Sequence, residues 1–416
     1  MSSSERSGSR PADVAVVGAG IIGLATALAL TERHPRLRLL VLDKEPEVGS
    51  HQTGHNSGVI HSGIYYRPGS LKARLCVQGG QRLLAFCEEH GIAYQLPGKV
   101  IVATEPRELP ALEELHRRGV MNGLRGVRQI GPRELSELEP HATGVAGLHV
   151  PDTGIVDFHH VARALAKRLD ERGVTIMRNT KVERVERASW GLRMRTGEGE
   201  LAARFAINCA GLYADTIARS MGARPDVQIV PFRGEYYLLR PDRRFLVRGL
   251  IYPVPDARFP FLGVHLTTTI GGEVEAGPNA VLALAREGYS KGRVSPSELW
   301  ETLRYPGFLR LGRRYWRTGL AENYRSWRKK AFVATLRRLV PEISPEDVVP
   351  HGAGVRAQAV DRAGRLIDDF SILTTDSAVH VLNAPSPGAT ASLAIGEQVV
   401  GVAAQAFDWT KGEGST

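Results

Sequence analysis

The run Gly18-Ala19-Gly20-Ile21-Ile22-Gly23, followed twenty residues later by Asp43, holds the residue types whose spacing points most directly to chemistry in this 416-residue chain. Gly18 permits a tight turn, Gly20 lets a pyrophosphate approach the backbone, and Gly23 lets a helix pack closely on the strand before it. The helix N-terminus then offers unpaired N–H groups and the positive end of its dipole to phosphate. Asp43 stands where a carboxylate is expected to hydrogen-bond a ribose hydroxyl. The predicted chemistry is the binding of a dinucleotide.

The elements that must position these residues can be read around them. Residues 13–30 join an apolar strand to a small-residue helix, and 37–42 is a second short apolar strand ending at Asp43. Residues 154–172 read as a loop and then a helix, with Val161, Leu165 and Leu169 at helical spacing. Residues 174–178 form a short strand, 182–187 and 191–196 alternate as an antiparallel pair, and 205–210 is a buried strand running into Gly211 and a helix over 213–221. These pieces return to the nucleotide-binding sheet. By contrast, 227–239 and 261–270 carry alternating β-branched and aromatic residues, as an antiparallel sheet requires. Residues 300–339 read as mainly helical, and 378–406 as strand, loop and helix. Two domains woven together by several chain crossings fit this order better than two in tandem.

Composition narrows the class. Hydrophobic content of 43% with 24% charge describes an ordinary globular protein with a large core. No apolar run approaches the roughly 20 residues of a membrane span. Residues 1–10 are polar without an apolar core, which reads as a disordered leader and not a secretory signal. Cys76, Cys87 and Cys209 are scattered without metal-ligand spacing, so reduced thiols, a cytoplasmic location and no metal site are expected.

Near the C-terminus two glycine-bearing segments read as loops, 352–356 and 383–390, and the second leads directly into a helix. The run 51–66, HQTGHNSGVIHSGIYY, resembles the flavin loop of the D-amino-acid-oxidase-like family of FAD enzymes, and more narrowly its L-2-hydroxyglutarate dehydrogenase/oxidase group. The similarity continues through 68–73, 208–215, 231–237, 277–283, 354–359 and 383–387. The resemblance implies an α/β chain, α+β overall, with a Rossmann-like FAD-binding domain interwoven with an antiparallel-sheet substrate domain. On that reading 11–85, 155–225 and 340–410 bind FAD, 86–154 and 226–339 bind substrate, and 411–416 is a tail. One departure stands out. The group usually follows His265-Leu266-Thr267 with a basic and then an acidic residue before glycine, whereas Thr268-Thr269-Ile270-Gly271-Gly272 carries neither. If those charges shape the site, substrate preference is altered.

The resemblance also implies site roles. Oxidising a 2-hydroxy acid needs a cation for the carboxylate, a base near the hydroxyl and an oriented flavin that accepts hydride from C2 at N5. Arg356 offers a bidentate, permanently charged fork for the carboxylate. Tyr66, Lys72 and Arg74 are weaker candidates for a second carboxylate. His61 and His265 compete as the base, since imidazole suits proton transfer near neutral pH. His51 and His55 are placed to contact the cofactor. FAD itself is expected to meet Gly18, Gly20, Gly23, Asp43, Lys44, Thr53, Asn56, Ser57, Val182, Gly211, Gly388 and Thr390. Oxidation of an amine or amino acid on the same fold is the alternative, and the electron acceptor, a quinone or oxygen, stays open.

The charge of +10 is concentrated. Residues 286–338 hold fourteen Lys or Arg against four Glu, which equals the whole excess. The same stretch interleaves Trp300, Tyr305, Phe308, Tyr315, Trp316, Tyr324, Trp327 and Phe332 with arginines and lysines. Such a surface suits peripheral attachment to an anionic membrane on its inner face; the competing reading makes the aromatics core and the arginines solvated. No nucleic-acid motif accompanies it, and no nucleic-acid partner is expected.

Overall fold

The computed structural model describes residues 11–256 and 261–409. The leader expected over 1–10 and the tail over 411–416 lie outside these residues. The first sheet is built on Ala12–Val17, whose Val14–Val17 segment is buried on both faces, as a central parallel strand must be. Leu39–Leu42 lies parallel on one side of it and the second half of Gly199–Asn208 on the other. Thr175–Met177 and Ala378–Asn383 extend this parallel set. The first half of Gly199–Asn208 instead joins Gly191–Thr196 and Val182–Ala188 in an antiparallel ribbon. Val14 and Val16 face a layer made by the helices Ile21–Arg33, Leu71–Glu89, Phe158–Glu171 and Ser392–Ala406. Ala15 and Val17 face the ribbon and the helix Ala214–Ser220.

The second sheet runs in the order Val281–Leu282, Val227–Leu239, Val274–Gly277, His265–Thr268, Leu250–Pro253, Lys99–Ala103, Ala146–Val150, Arg128–Ile130. Its pairs are antiparallel except for Lys99–Ala103 against Leu250–Pro253. A small third sheet, of Val59–Ile60, Gly154–Val156 and Tyr94–Gln95, joins segments from distant parts of the chain. The stretch 300–339 is helical as expected, in Pro296–Arg304, Pro306–Trp327 and Lys329–Leu336, with a non-helical turn at Tyr315.

Three expectations change. Residues 352–356 are not a loop but part of Val348–Asp361, a 14-residue strand. That strand pairs along Val227–Leu239 in the second sheet, although 340–410 reads from sequence as part of the nucleotide-binding domain. Glycines concealed it. A Cβ on Gly354 would collide with the His55 carbonyl oxygen, so glycine is required where this strand passes the 51–57 loop. The third change is in 261–270, where the strand is confined to His265–Thr268 and closes in a hairpin by a Thr269 N–H bond to the Glu273 carbonyl at 2.8 Å.

Candidate active site

One cavity of about 1840 Å³ is lined by Gly18, Gly20, Asp43 and Val182 from the first sheet and its turns, and by Tyr252, His265 and Arg356 from the second. It exceeds the roughly 300–1,000 Å³ of an ordinary small-molecule pocket. A dinucleotide together with a small substrate accounts for the difference.

At the first sheet, Gly18 adopts φ +107°, which a side chain would resist, and a Cβ on Gly23 would strike the Gly18 carbonyl oxygen. Gly20 is different: a Cβ there meets only Thr53 Oγ1, at 3.6 Å, so its bareness leaves space for a ligand and not for the fold. Thr53 Oγ1 accepts the Ile21 N–H at 3.0 Å, pinning the 51–57 loop to the helix start. Asp43 accepts the Ala19 N–H at 2.6 Å and the Glu45 N–H at 2.9 Å, which holds its carboxylate over the glycine turn. The Thr180 N–H donates to the Asp43 carbonyl at 2.7 Å and so brings Val182 to the same part of the cavity. An open glycine, a helix N-terminus and an adjacent carboxylate are the donor set that the ADP half of FAD requires.

Several expected cofactor contacts have other partners. Lys44 Nζ is paired with Glu45 and Glu287. Burial opposes its charge, yet the Glu287 and Glu45 carboxylates hold its ammonium above the ordinary lysine value. Among the described residues, Glu45, His51 and Glu287 bring ligand atoms within 4.8 Å of one another, but the Lys44 ammonium already occupies the carboxylates. His51 Nδ1 also meets the Tyr289 hydroxyl at 3.0 Å, and His55 packs on the same ring. This cluster ties the 44–55 segment to the far domain. Asn56 Nδ2 donates to the Gln52 and Thr53 carbonyls, and Asn56 Oδ1 accepts the Gly58 N–H, so its side chain shapes the loop. Ser57, Gly211 and Gly388 line the cavity. Thr390 does too, with Oγ1 accepting the His61 N–H at 3.1 Å and donating to the Val59 carbonyl at 3.2 Å.

His61, His265, Arg356, Tyr66 and Lys72 all line this cavity; Arg74 is exposed on its helix and does not. His265 Nδ1 lies 2.8 Å from the Gly263 carbonyl, which can only accept, so the proton sits on Nδ1 and Nε2 keeps its lone pair. Burial, then the positive charges of Arg356 and Lys99, lower His265 to about 3 despite that bond. His61 is lowered to about 3 as well, by burial first and then by Lys99, His265 and Lys72. Its Nε2 is 3.2 Å from Ser386 Oγ and its buried Nδ1 has no partner. Both rings are therefore neutral near pH 7, each with a lone pair on one ring nitrogen. Arg356 donates from Nη1 to the Asn279 carbonyl at 3.2 Å and lies over the Phe261 ring at 5.4 Å. Asn279 is itself fixed by Glu235, accepting the Glu235 N–H at 2.8 Å and donating to Glu235 Oε2 at 2.9 Å. Lys72 Nζ donates to the carbonyl and carboxylate of Asp368, both at 2.9 Å, beneath the Tyr66 ring at 4.8 Å.

Similarity to known proteins identifies the family. A family model described as DAO, FAD dependent oxidoreductase, matches residues 13–401. The chain belongs to that family. This FAD-dependent oxidoreductase is 51% identical to the L-2-hydroxyglutarate dehydrogenase of Indibacter alkaliphilus, over 93% of the chain and 97% of that relative. It is 43% identical to the human mitochondrial L-2-hydroxyglutarate dehydrogenase, over 95% and 89%. Among solved structures it resembles the FAD-bound L-α-glycerophosphate oxidase of Mycoplasma pneumoniae, with TM-score 0.78 and 23% identity over 96% of both chains. Glycine oxidase of Geobacillus kaustophilus gives TM-score 0.71 and 20% identity, over 96% and 95%. These structures establish a shared fold.

Two features of this oxidoreductase change the sequence picture. The uncharged 268–272 stretch forms a hairpin turn, and none of its residues lines the cavity. Lys99, Tyr65 and Tyr252 were not among the expected site residues, yet Tyr65 and Tyr252 line the cavity and Lys99 lies between their rings. The available signal was Lys99 itself, a lysine opening the otherwise apolar strand KVIVA.

Proposed function

We propose that the chain oxidises L-2-hydroxyglutarate to 2-oxoglutarate. The observation that carries this reading is the meeting, in one cavity, of two neutral imidazoles with the Arg356 guanidinium. The names of relatives at 43–51% identity supply the substrate. Arg356 takes the carboxylate next to the reacting carbon through two parallel N–H donors. His265 Nε2 accepts the hydroxyl proton, held to that role by the Nδ1 bond to Gly263. His61, on the cofactor-side loop, is the second acceptor that variants must separate from it. Tyr66 and Lys72 form a wall beside the substrate's carbon chain, the lysine being braced by Asp368. The chemistry FAD supplies when bound is two-electron acceptance, hydride passing from C2 to flavin N5.

The electrons then leave to a quinone or to oxygen, and the helical segment favours an acceptor in a membrane. Trp300, Trp316, Tyr324 and Trp327 are each more than half exposed beside Arg313, Arg317 and Arg328, whereas Phe332 is core. No helix of the described residues is long and apolar enough to cross a membrane. Attachment of this surface to anionic lipid on the cytoplasmic face is the reading these residues support. The reaction is tested by mixing the FAD-loaded protein anaerobically with L-2-hydroxyglutarate, other 2-hydroxy acids, glycine, sarcosine and proline. Flavin bleaching should be fastest with L-2-hydroxyglutarate; bleaching by an amine alone would replace this reading.

A further inference from the structure

Lys99 is 2% exposed, and Nζ has no hydrogen-bond partner. It lies over the Tyr65 ring at 4.5 Å and the Tyr252 ring at 4.9 Å, and the buried Tyr65 hydroxyl is also without a partner. Strand register explains the grouping. Lys99 is level with Leu250, Leu250 with Thr267, and Tyr252 stands two residues from Leu250 on the same face of the second sheet. Tyr252 stacks on His265 with ring centroids 3.9 Å apart. Tyr252 thus links Lys99 to His265, and Arg356 lines the same cavity. Neither cation pairs with a carboxylate among the described residues. Orphaned buried donors in a native site call for an explanation, and an anion supplies one.

We propose that Lys99, acting through Tyr65 and Tyr252, makes this cavity select dianionic substrates, the second carboxylate lying against the two tyrosines while Arg356 holds the first. Lys99 is a specificity-determining, positioning residue on this assignment, and it rests on the reading that the same cavity binds a 2-hydroxy dicarboxylate. The groups facing its ammonium are neutral. Cys76 is pushed up to about 12 by burial, Tyr65 is raised by burial, and His61 and His265 are both near 3. Burial lowers Lys99 itself to about 7. It is charged below that value and neutral above it, so the preference for a dianion should weaken as pH rises.

The test measures binding of glutarate and of butyrate, neither of which can be oxidised at C2, to the FAD-loaded protein through perturbation of the flavin absorbance. Wild type should prefer glutarate, and Lys99→Met should weaken glutarate roughly 10–100-fold, the worth of a charge-assisted contact, while butyrate changes little. The wild-type preference should also shrink from about pH 6 to about pH 9, a readout that survives if Lys99→Met fails to fold. Equal loss of both ligands, an unchanged glutarate affinity, or a preference independent of pH would each overturn the assignment. Absence of L-2-hydroxyglutarate turnover with the glutarate preference intact would instead remove the proposed reaction and leave this subsite standing.

Discussion

Arg356 owes its position to a strand and its orientation to a neighbour, because the Asn279 carbonyl accepts from Nη1 while Asn279 is held by Glu235. Arg356→Lys should keep FAD and the fold yet lose the bidentate fork. The expected cost is about 1.5–3 kcal/mol, read mainly as a raised KM; unchanged KM and kcat would remove Arg356 from carboxylate binding. His265→Ala should slow flavin reduction by roughly 10²–10⁴-fold in anaerobic stopped-flow, with the flavin spectrum unaltered. His61→Ala measured beside it decides which imidazole takes the proton: the base is the one whose loss slows reduction without changing substrate affinity. At this scale the sequence yielded the residues that sit in motifs and missed those that do not. Gly20, Asp43 and His61 lie in local patterns, whereas Lys99 and Tyr252 reach His265 only through pairing between strands distant in the chain.

Among the elements, the glycine turn was legible because strand, turn, helix and acid follow one another closely, each constraining the next. Val348–Asp361 was not, because glycines that read as a loop in isolation are there to let a strand pass the His55 carbonyl. The turn gives a clean prediction. A Cβ at Gly20 has room in the protein, so Gly20→Val should fold with an unchanged circular dichroism spectrum but purify colourless; retention of FAD would show that the pyrophosphate lies elsewhere. The aromatic helices form the other case where sequence left two readings, and the structure divides them: Phe332 is buried, Tyr305, Phe308 and Tyr315 are half-buried, and the three tryptophans project. Sedimentation with anionic vesicles should carry the protein down, weaken with salt, and fail when Trp316 and Trp327 become Ser, while turnover with a soluble acceptor persists. Equal sedimentation of the variant would assign the ridge to another partner.

For the molecule as a whole, buried titratable groups set a pH dependence. His61 and His265 are lowered to about 3 and His380 to about 4, chiefly by burial, so the unfolded chain binds more protons than the folded one between those values and the ordinary 6.5. Their contribution is complete above 6.5 and is lost as pH falls. Glu275, raised to about 7 by burial, acts in the opposite direction between about 7 and its ordinary 4.5, but three imidazoles outweigh one carboxyl. Scanning calorimetry with saturating FAD should give a lower Tm at about pH 5 than at about pH 8; a Tm that rises on acidification would mean the imidazoles are hydrated. The broad architecture was legible because the apolar runs alternate with helices in a characteristic order, but which strand joins which sheet depends on partners hundreds of residues away. That separation also has a direction in time. Ala12–Val17 and its glycine turn leave the ribosome long before Ala378–Asn383 can join their sheet and Ser392–Ala406 can cover their helix. Gly396 meets the Ala25 carbonyl so closely that no late substitute can fill that place. Until both segments have been translated, the nucleotide cradle lacks one strand of its sheet and the close cover of its helix.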